Sequence, residues 1–271
     1  MASSKRKSQT SHGSAGAARV SRREQLEAQR QALAQRQRRN RLIAVLAGVL
    51  GVALVVSLAV WGINSTNRPG GDEVPPNATA ARDGITITPT VTDESTPLLV
   101  IYSDFQCPGC KSVHDAIATV LQQAVDSGRV RIEFHTLIML DYANSQVGSP
   151  NLRSSTRATL AAACADTVGV YYPFYSAIYA NQPAVEGDGY TDDLLRVQIP
   201  TEVGLSGDQL TRFQTCYDNQ STGRFTRDVD EAAAKAGITG TPRIWLNGED
   251  VTAEITTATS PANKLKQLLG I

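Results

Sequence analysis

The sequence predicts an α/β domain carried behind one transmembrane helix, and three observations lead there. An uncharged apolar run spans Leu42 to Ile63. Residues 97–140 read strand–helix–strand, and the C-terminal third reads helices, then two strands and a last helix. The order is thus β-α-β, a helical block, and β-β-α, with no internal repeat.

The first 41 residues form a basic tail with eleven Lys and Arg against Glu24 and Glu27, net +9. The whole chain is formally neutral, so the other 230 residues carry −9, and the two parts suit different environments. The tail has no aromatic residue on which a base could stack, and no nucleic-acid partner is expected. Leu42–Ile63 is 22 residues long, enough to cross ~30 Å of hydrocarbon as a helix. Trp61 near its far end suits the interface. A leader this long and basic points to an uncleaved anchor rather than a signal peptide. The excess of Lys and Arg places residues 1–41 in the cytoplasm and the remainder outside, a single-pass protein of the cell membrane.

Residues 64–83, rich in Pro, Gly and small polar side chains, read as a flexible linker. The folded domain is expected over 84–271. "GITIT" is a short alternating strand, and Pro97–Phe105 is an apolar run suited to a strand buried on both faces. Pro108 fits the first position of a helix that begins at Cys107 and stops near Gly128. "RVRIEFHTLIML" alternates as the next strand. A helical insertion follows over about 141–228, where Tyr171, Tyr172, Phe174, Tyr175 and Tyr179 recur at helical spacing as packing residues. "GTPRIWLNGEDVTAEI" reads as two strands joined at Asn247-Gly248, and "SPANKLKQLLGI" as a terminal helix capped by Ser260.

The chemistry centres on Cys107-Pro108-Gly109-Cys110. A helix N-terminus stabilises a thiolate through unpaired N–H groups and the helix dipole, so Cys107 suits an exposed nucleophile and Cys110, one turn in, a covered partner. The same spacing also serves zinc sites, and His114 and His135 could complete a set with the two cysteines. There is no second C-x-x-C, and no metal is expected. A purely structural disulfide in so short a loop would constrain little of the unfolded chain.

Tyr102-Ser103-Asp104-Phe105-Gln106-Cys107-Pro108-Gly109-Cys110 resembles the signature of DsbA-like, thioredoxin-fold thiol–disulfide oxidoreductases. Gly237-Ile238-Thr239-Gly240-Thr241-Pro242 resembles their cis-proline loop, and the helical block between resembles their inserted domain. The resemblance covers about residues 84–271. It implies that Cys107 attacks, Cys110 resolves, and a cis Pro242 sets the Thr241 backbone beside the sulfurs to hold a substrate strand. Some relatives carry an acid six positions before the first cysteine; here that residue is Ile101, leaving Asp104 or Glu133 as candidate proton acceptors. Strongly oxidising relatives carry His between the cysteines, and Gly109 implies a milder disulfide. Cys164 and Cys216, in an oxidising compartment, are expected to form a structural disulfide.

The expected function is that of a membrane-anchored dithiol oxidase acting on cysteine thiols of exported proteins. It needs no cofactor of its own and is reoxidised by a quinone-linked membrane oxidase of the DsbB or VKOR-like type. The alternatives are a disulfide reductase or isomerase kept reduced by a membrane donor, and a non-catalytic binding or chaperone module.

Overall fold

The computed structural model describes Gly51, residues 71–144 and residues 153–271. The basic tail, the Leu42–Ile63 span apart from Gly51, and linker residues 64–70 lie outside the described residues. Among the described residues no helix is long and apolar enough to cross a membrane.

A five-stranded sheet forms the base, in the order β1-β3-β2-β4-β5. The apolar run supplies the central strand β2 (Leu98–Ser103), which pairs in parallel with β3 (Arg131–Thr136). The crossover between them is α1 (Pro108–Ser127), closed by a left-handed Gly128. β1 (Ile85–Thr86) adds antiparallel to β3, and β4 (Arg243–Leu246) antiparallel to β2. The turn into β5 (Glu249–Asp250) uses Asn247 at φ 50° and Gly248 at φ 85°, the pair of positive values that a two-residue hairpin requires.

Strand alternation sorts the chemistry. Ile101, Ser103 and Phe134 line one cavity with Cys110 of α1, whereas Tyr102 and His135 meet on the other face with tilted rings, centroids 4.8 Å apart. The buried face continues without a break into the helices.

Those helices are α2 (Met139–Asn144), α3 (Ser154–Asp166), α4 (Tyr171–Ala180), a π-turn at Leu194–Gln198 running into α5 (Ile199–Glu202), α6 (Gly207–Asp218) and α7 (Gly223–Lys235). The alanines of α3 explain its place: rich in small side chains, it is buried over most of its surface, and α2, α4, the π-turn, α6 and α7 pack against it. Cys164 of α3 and Cys216 of α6 form a disulfide across 52 residues. Loop closure of that length is worth about 4 kcal/mol as an upper figure.

Three expectations are corrected. The domain begins before Gly84: Gly71 and Glu73 donate to the carbonyls of Gln220 and Ser221 at 2.8 and 3.0 Å, and Asn77 holds Asp166 through its backbone and side-chain nitrogens, both at 2.8 Å. Gly71 permits the approach, since a Cβ there would lie 2.6 Å from the Ser221 oxygen. The helical block ends at Lys235 rather than 228, because Phe225, Val229 and Ala233 bury one face of α7, which packs on β3. The strand expected through "DVTAEI" stops at Asp250, whose carboxylate accepts from the Thr252 N–H at 2.9 Å and turns the chain into α8 (Thr252–Thr256). The final helix α9 (Pro261–Leu269) has Ser260 as its cap and packs on α1.

Candidate active site

The site forms where β2 ends and α1 begins. Cys107 is the N-cap of α1, with extended backbone, and Pro108 takes the first helical position. The Cys110 N–H donates to Cys107 Sγ at 3.4 Å, so the sulfur occupies the place of a capping oxygen. Cys107 is half-buried and Cys110 only 3% exposed, both as free thiols. Burial would favour a neutral thiol, yet the donated Cys110 thiol hydrogen outweighs it, helped by the Cys110 and Gly109 N–H groups, and holds Cys107 down to about 6. Cys110 shifts the other way: burial first, then the Cys107 hydrogen bond and charge, push its thiol well above the usual range.

Across the groove the Thr241–Pro242 peptide is cis, and the Thr241 carbonyl lies 3.6 Å from Cys107 Sγ. A Cβ on Gly109 would meet Pro242 Cδ at 3.5 Å and Cys107 Sγ at 3.6 Å, ordinary contacts, so a side chain at 109 would lie directly over the sulfur.

The insertion holds this loop by its carbonyls. Gln182 Nε2 donates to those of Phe105 and Cys107 at 2.7 and 3.1 Å, Tyr190 Oη to Phe105 at 2.7 Å, and Tyr179 Oη to Asp104 at 3.3 Å. Buried carbonyls need such partners, and a loop leaving a sheet cannot supply them itself. Sequence reasoning missed Gln182 and Tyr190, since nothing in their neighbourhood marks them. Tyr175 and Tyr179 are indeed core packing, but Tyr175 Oη also pairs with Ser103 Oγ at 2.9 Å beside the cysteines.

The two candidate proton acceptors separate. Asp104 is fully buried; its carboxylate accepts from Ser155 Oγ at 2.6 Å, Gln106 N at 2.9 Å and Leu140 N at 3.0 Å. Burial pushes that carboxyl up to about 7, with the three donors opposing. What Asp104 offers Cys110 is its backbone N–H. Glu133 is corrected: its neighbours in β3, Ile132 and Phe134, face the core with α1, so alternation turns Glu133 to the opposite face, where it lies 3.5 Å from His135. The same alternation removes His135 from any set with the cysteines, and among the described residues no group of three or more His, Cys, Asp or Glu could hold a metal.

A parallel β-α-β unit with a capping cysteine, a second cysteine one turn in and a cis-proline opposite defines a dithiol protein of thioredoxin-like fold. The family model described as Thioredoxin matches residues 88–262, and the chain belongs to that family. Solved structures share the fold. MdbA of Actinomyces oris, a thiol-disulfide oxidoreductase, is 17% identical at a TM-score of 0.59, covering 74% of this chain and 90% of that one. Reduced DsbG of Mycobacterium tuberculosis is 24% identical at 0.52, covering 70% and 88%. Oxidised BdbD of Bacillus subtilis is 17% identical at 0.53, covering 75% and 97%. A curated relative, Na(+)/H(+) antiporter NhaA 3 of Salinispora tropica, is 28% identical over 156 residues, 57% of this chain. The chain spans only 21% of that relative's length.

Proposed function

We propose that this protein is a DsbA-like thiol–disulfide oxidoreductase that oxidises cysteine pairs of exported proteins from a membrane anchor at Leu42–Ile63. The observation that carries the reading is the asymmetry of the pair: Cys107 is a capping, accessible sulfur held down to about 6, and Cys110 is a buried thiol held up. A stabilised Cys107 thiolate favours the reduced form, which makes the disulfide a willing oxidant.

In the oxidising direction a substrate thiolate attacks Cys107 Sγ, the Cys107–Cys110 bond breaks, and Cys110 leaves with the electron pair and takes a proton. A second substrate thiolate then attacks the substrate sulfur of the mixed disulfide and releases Cys107 as its thiolate. The two electrons now on the dithiol pass to a reoxidant, for which a quinone-linked membrane oxidase of the DsbB or VKOR-like type has the right chemistry and location. The Thr241 carbonyl and cis Pro242 bound the groove beside Cys107 and suit an extended substrate strand.

The test is the reduction potential of the pair together with oxidation of a reduced, unfolded protein. A potential of about −120 to −180 mV with net disulfide formation supports the oxidase, whereas about −270 mV makes the protein a reductase. Cys110→Ala should accumulate substrates covalently attached to Cys107, and Cys107→Ala almost none. The anchor is tested separately: protease added to intact spheroplasts should digest the domain and spare the basic tail.

A further inference from the structure

His114 is left over by this mechanism. It sits one helical turn beyond Cys110 on α1, is 6% exposed, and its Nδ1 is buried with no hydrogen-bond partner. A buried polar atom without a partner loses its hydration with nothing in return, and a fold that keeps one invites a functional account.

The surroundings supply one. His114 and Cys110 line the same cavity of ≈ 10 Å³, about the room of one water molecule. Ser103, Tyr175, Pro242 and Ile101 are also in its lining, and no carboxylate is. The imidazole stacks on Tyr179 with centroids 5.2 Å apart and meets Tyr175 edge-on at 5.4 Å and Tyr172 at 6.4 Å, which fixes its plane. Asp104 bonds its carboxylate to three donors of its own loop, α2 and α3, and lies outside that lining.

We infer that His114 takes the proton of Cys110 when Cys110 attacks the mixed disulfide, and returns it when Cys110 leaves as a thiolate. The inference rests on the oxidoreductase reading above and adds a residue to it. In the attacking step the Cys110 Sγ–H bond breaks and its proton goes to the ring nitrogen, directly or through one cavity water. Cys110 Sγ bonds Cys107 Sγ, the substrate sulfur leaves with the electron pair of the broken disulfide, and His114 passes the proton on to that thiolate.

Burial holds His114 down to about 4, against an upward pull from Asp115 and a downward push from Lys111, so the ring is neutral and its Nδ1 lone pair is open, but alone it is a weak base beside a thiol held high. The charged groups near it are these two, on its own helix; the faces presented by α4 and the sheet carry tyrosine hydroxyls, Ser103 and hydrocarbon. Burial penalises imidazolium and thiolate alike. One proton moved between them makes an opposite pair in a single low-dielectric cavity, and their attraction offsets part of both penalties.

The test uses the full chain, reduced at Cys107 and Cys110, mixed with an equal concentration of dithiobis(nitrobenzoate), whose released thiolate is coloured. The first release reports attack by Cys107 and the second attack by Cys110. In the wild type the first rate should follow the Cys107 thiolate through its midpoint near 6, while the second rate should be flat above about pH 5. In His114→Phe, and equally in His114→Gln, that second rate should fall roughly 10²-fold and then climb with pH as hydroxide replaces the base. A second rate within twofold of wild type in both variants, or a wild-type second rate that itself climbs steadily from pH 5 to 8, overturns the inference. A fall in Asp104→Asn but not in the His114 variants also overturns it and gives the proton to Asp104. Absence of the first release in the wild type would instead sink the oxidoreductase reading.

Discussion

Gln182, from the helical insertion, donates its side-chain amide to the carbonyl of Cys107 at 3.1 Å, while also holding that of Phe105. Cys107 stands where β2 ends and α1 begins, yet its backbone is fixed by a residue 75 positions later. Tyr190 secures the Phe105 carbonyl from the same side. Tyr190→Phe should therefore cost about 1 kcal/mol of stability, a typical net hydrogen-bond contribution. Gln182→Ala should loosen the loop and raise the Cys107 alkylation rate while the thiol's midpoint stays in place. Urea unfolding and iodoacetamide kinetics would show both.

The alkylation rate of Cys107 should rise with pH through a midpoint near 6, since hydrogen bonds donated by Cys110 favour the thiolate. The folded-state value is depressed below the ~8.5 of a free thiol. Between those values the unfolded chain binds the extra proton, so the reduced form gains stability as pH rises and loses it as pH falls through 6. Oxidised protein lacks this dependence. Unfolding midpoints of both forms from pH 5 to 9 should diverge in that sense, and parallel curves would count against a stabilised thiolate.

Gly109→His should make the disulfide more oxidising. The added Cβ fits at ordinary contact distance over Cys107 Sγ and Pro242, so the imidazole sits near the thiolate and adds positive charge to the reduced form. The alkylation midpoint should drop, and the potential should rise by about 30 mV for each 1.4 kcal/mol of added stabilisation. Gly109→Ala serves as the steric control and should leave both nearly where they are.

Asp104 predicts the opposite pH trend. Its carboxyl is raised from 3.8 to about 7 by burial, so the folded state holds the proton over that window and the unfolded chain does not. Its contribution is fully present below pH 4 and is lost as pH rises through 7. The slope of stability against pH from 4 to 7, at most about 1.4 kcal/mol per unit, should flatten in Asp104→Asn. Chemical unfolding of oxidised protein isolates this slope from that of Cys107.

Much of the site was legible because its signals are local. A proline after a cysteine at the end of an apolar strand marks a capped helix start, and Thr241-Pro242 ahead of a strand and Asn247-Gly248 mark the facing loop. Glu133 misled for an equally physical reason: nearness in sequence to a buried strand says nothing about the face until the register is known. His114 was visible as a histidine one turn from Cys110, but its lack of a partner is a property of the packed core.

The sequence by itself determined the strand–helix–strand unit, the cysteine pair at its helix start, the helical insertion and the terminal helix, since each rests on periodicity, capping residues or turn residues within a few positions. Tertiary structure alone decided that residues 71–83 dock on the domain, that β5 ends where Asp250 turns the chain, that Glu133 and His135 face away from the sulfurs, that Gln182 and Tyr190 hold the loop at Cys107, and that His114 lines a cavity with Cys110. The physical reason is that these depend on partners tens of residues away, on which backbone groups a loop leaves unpaired and on which side chains a shared cavity brings together.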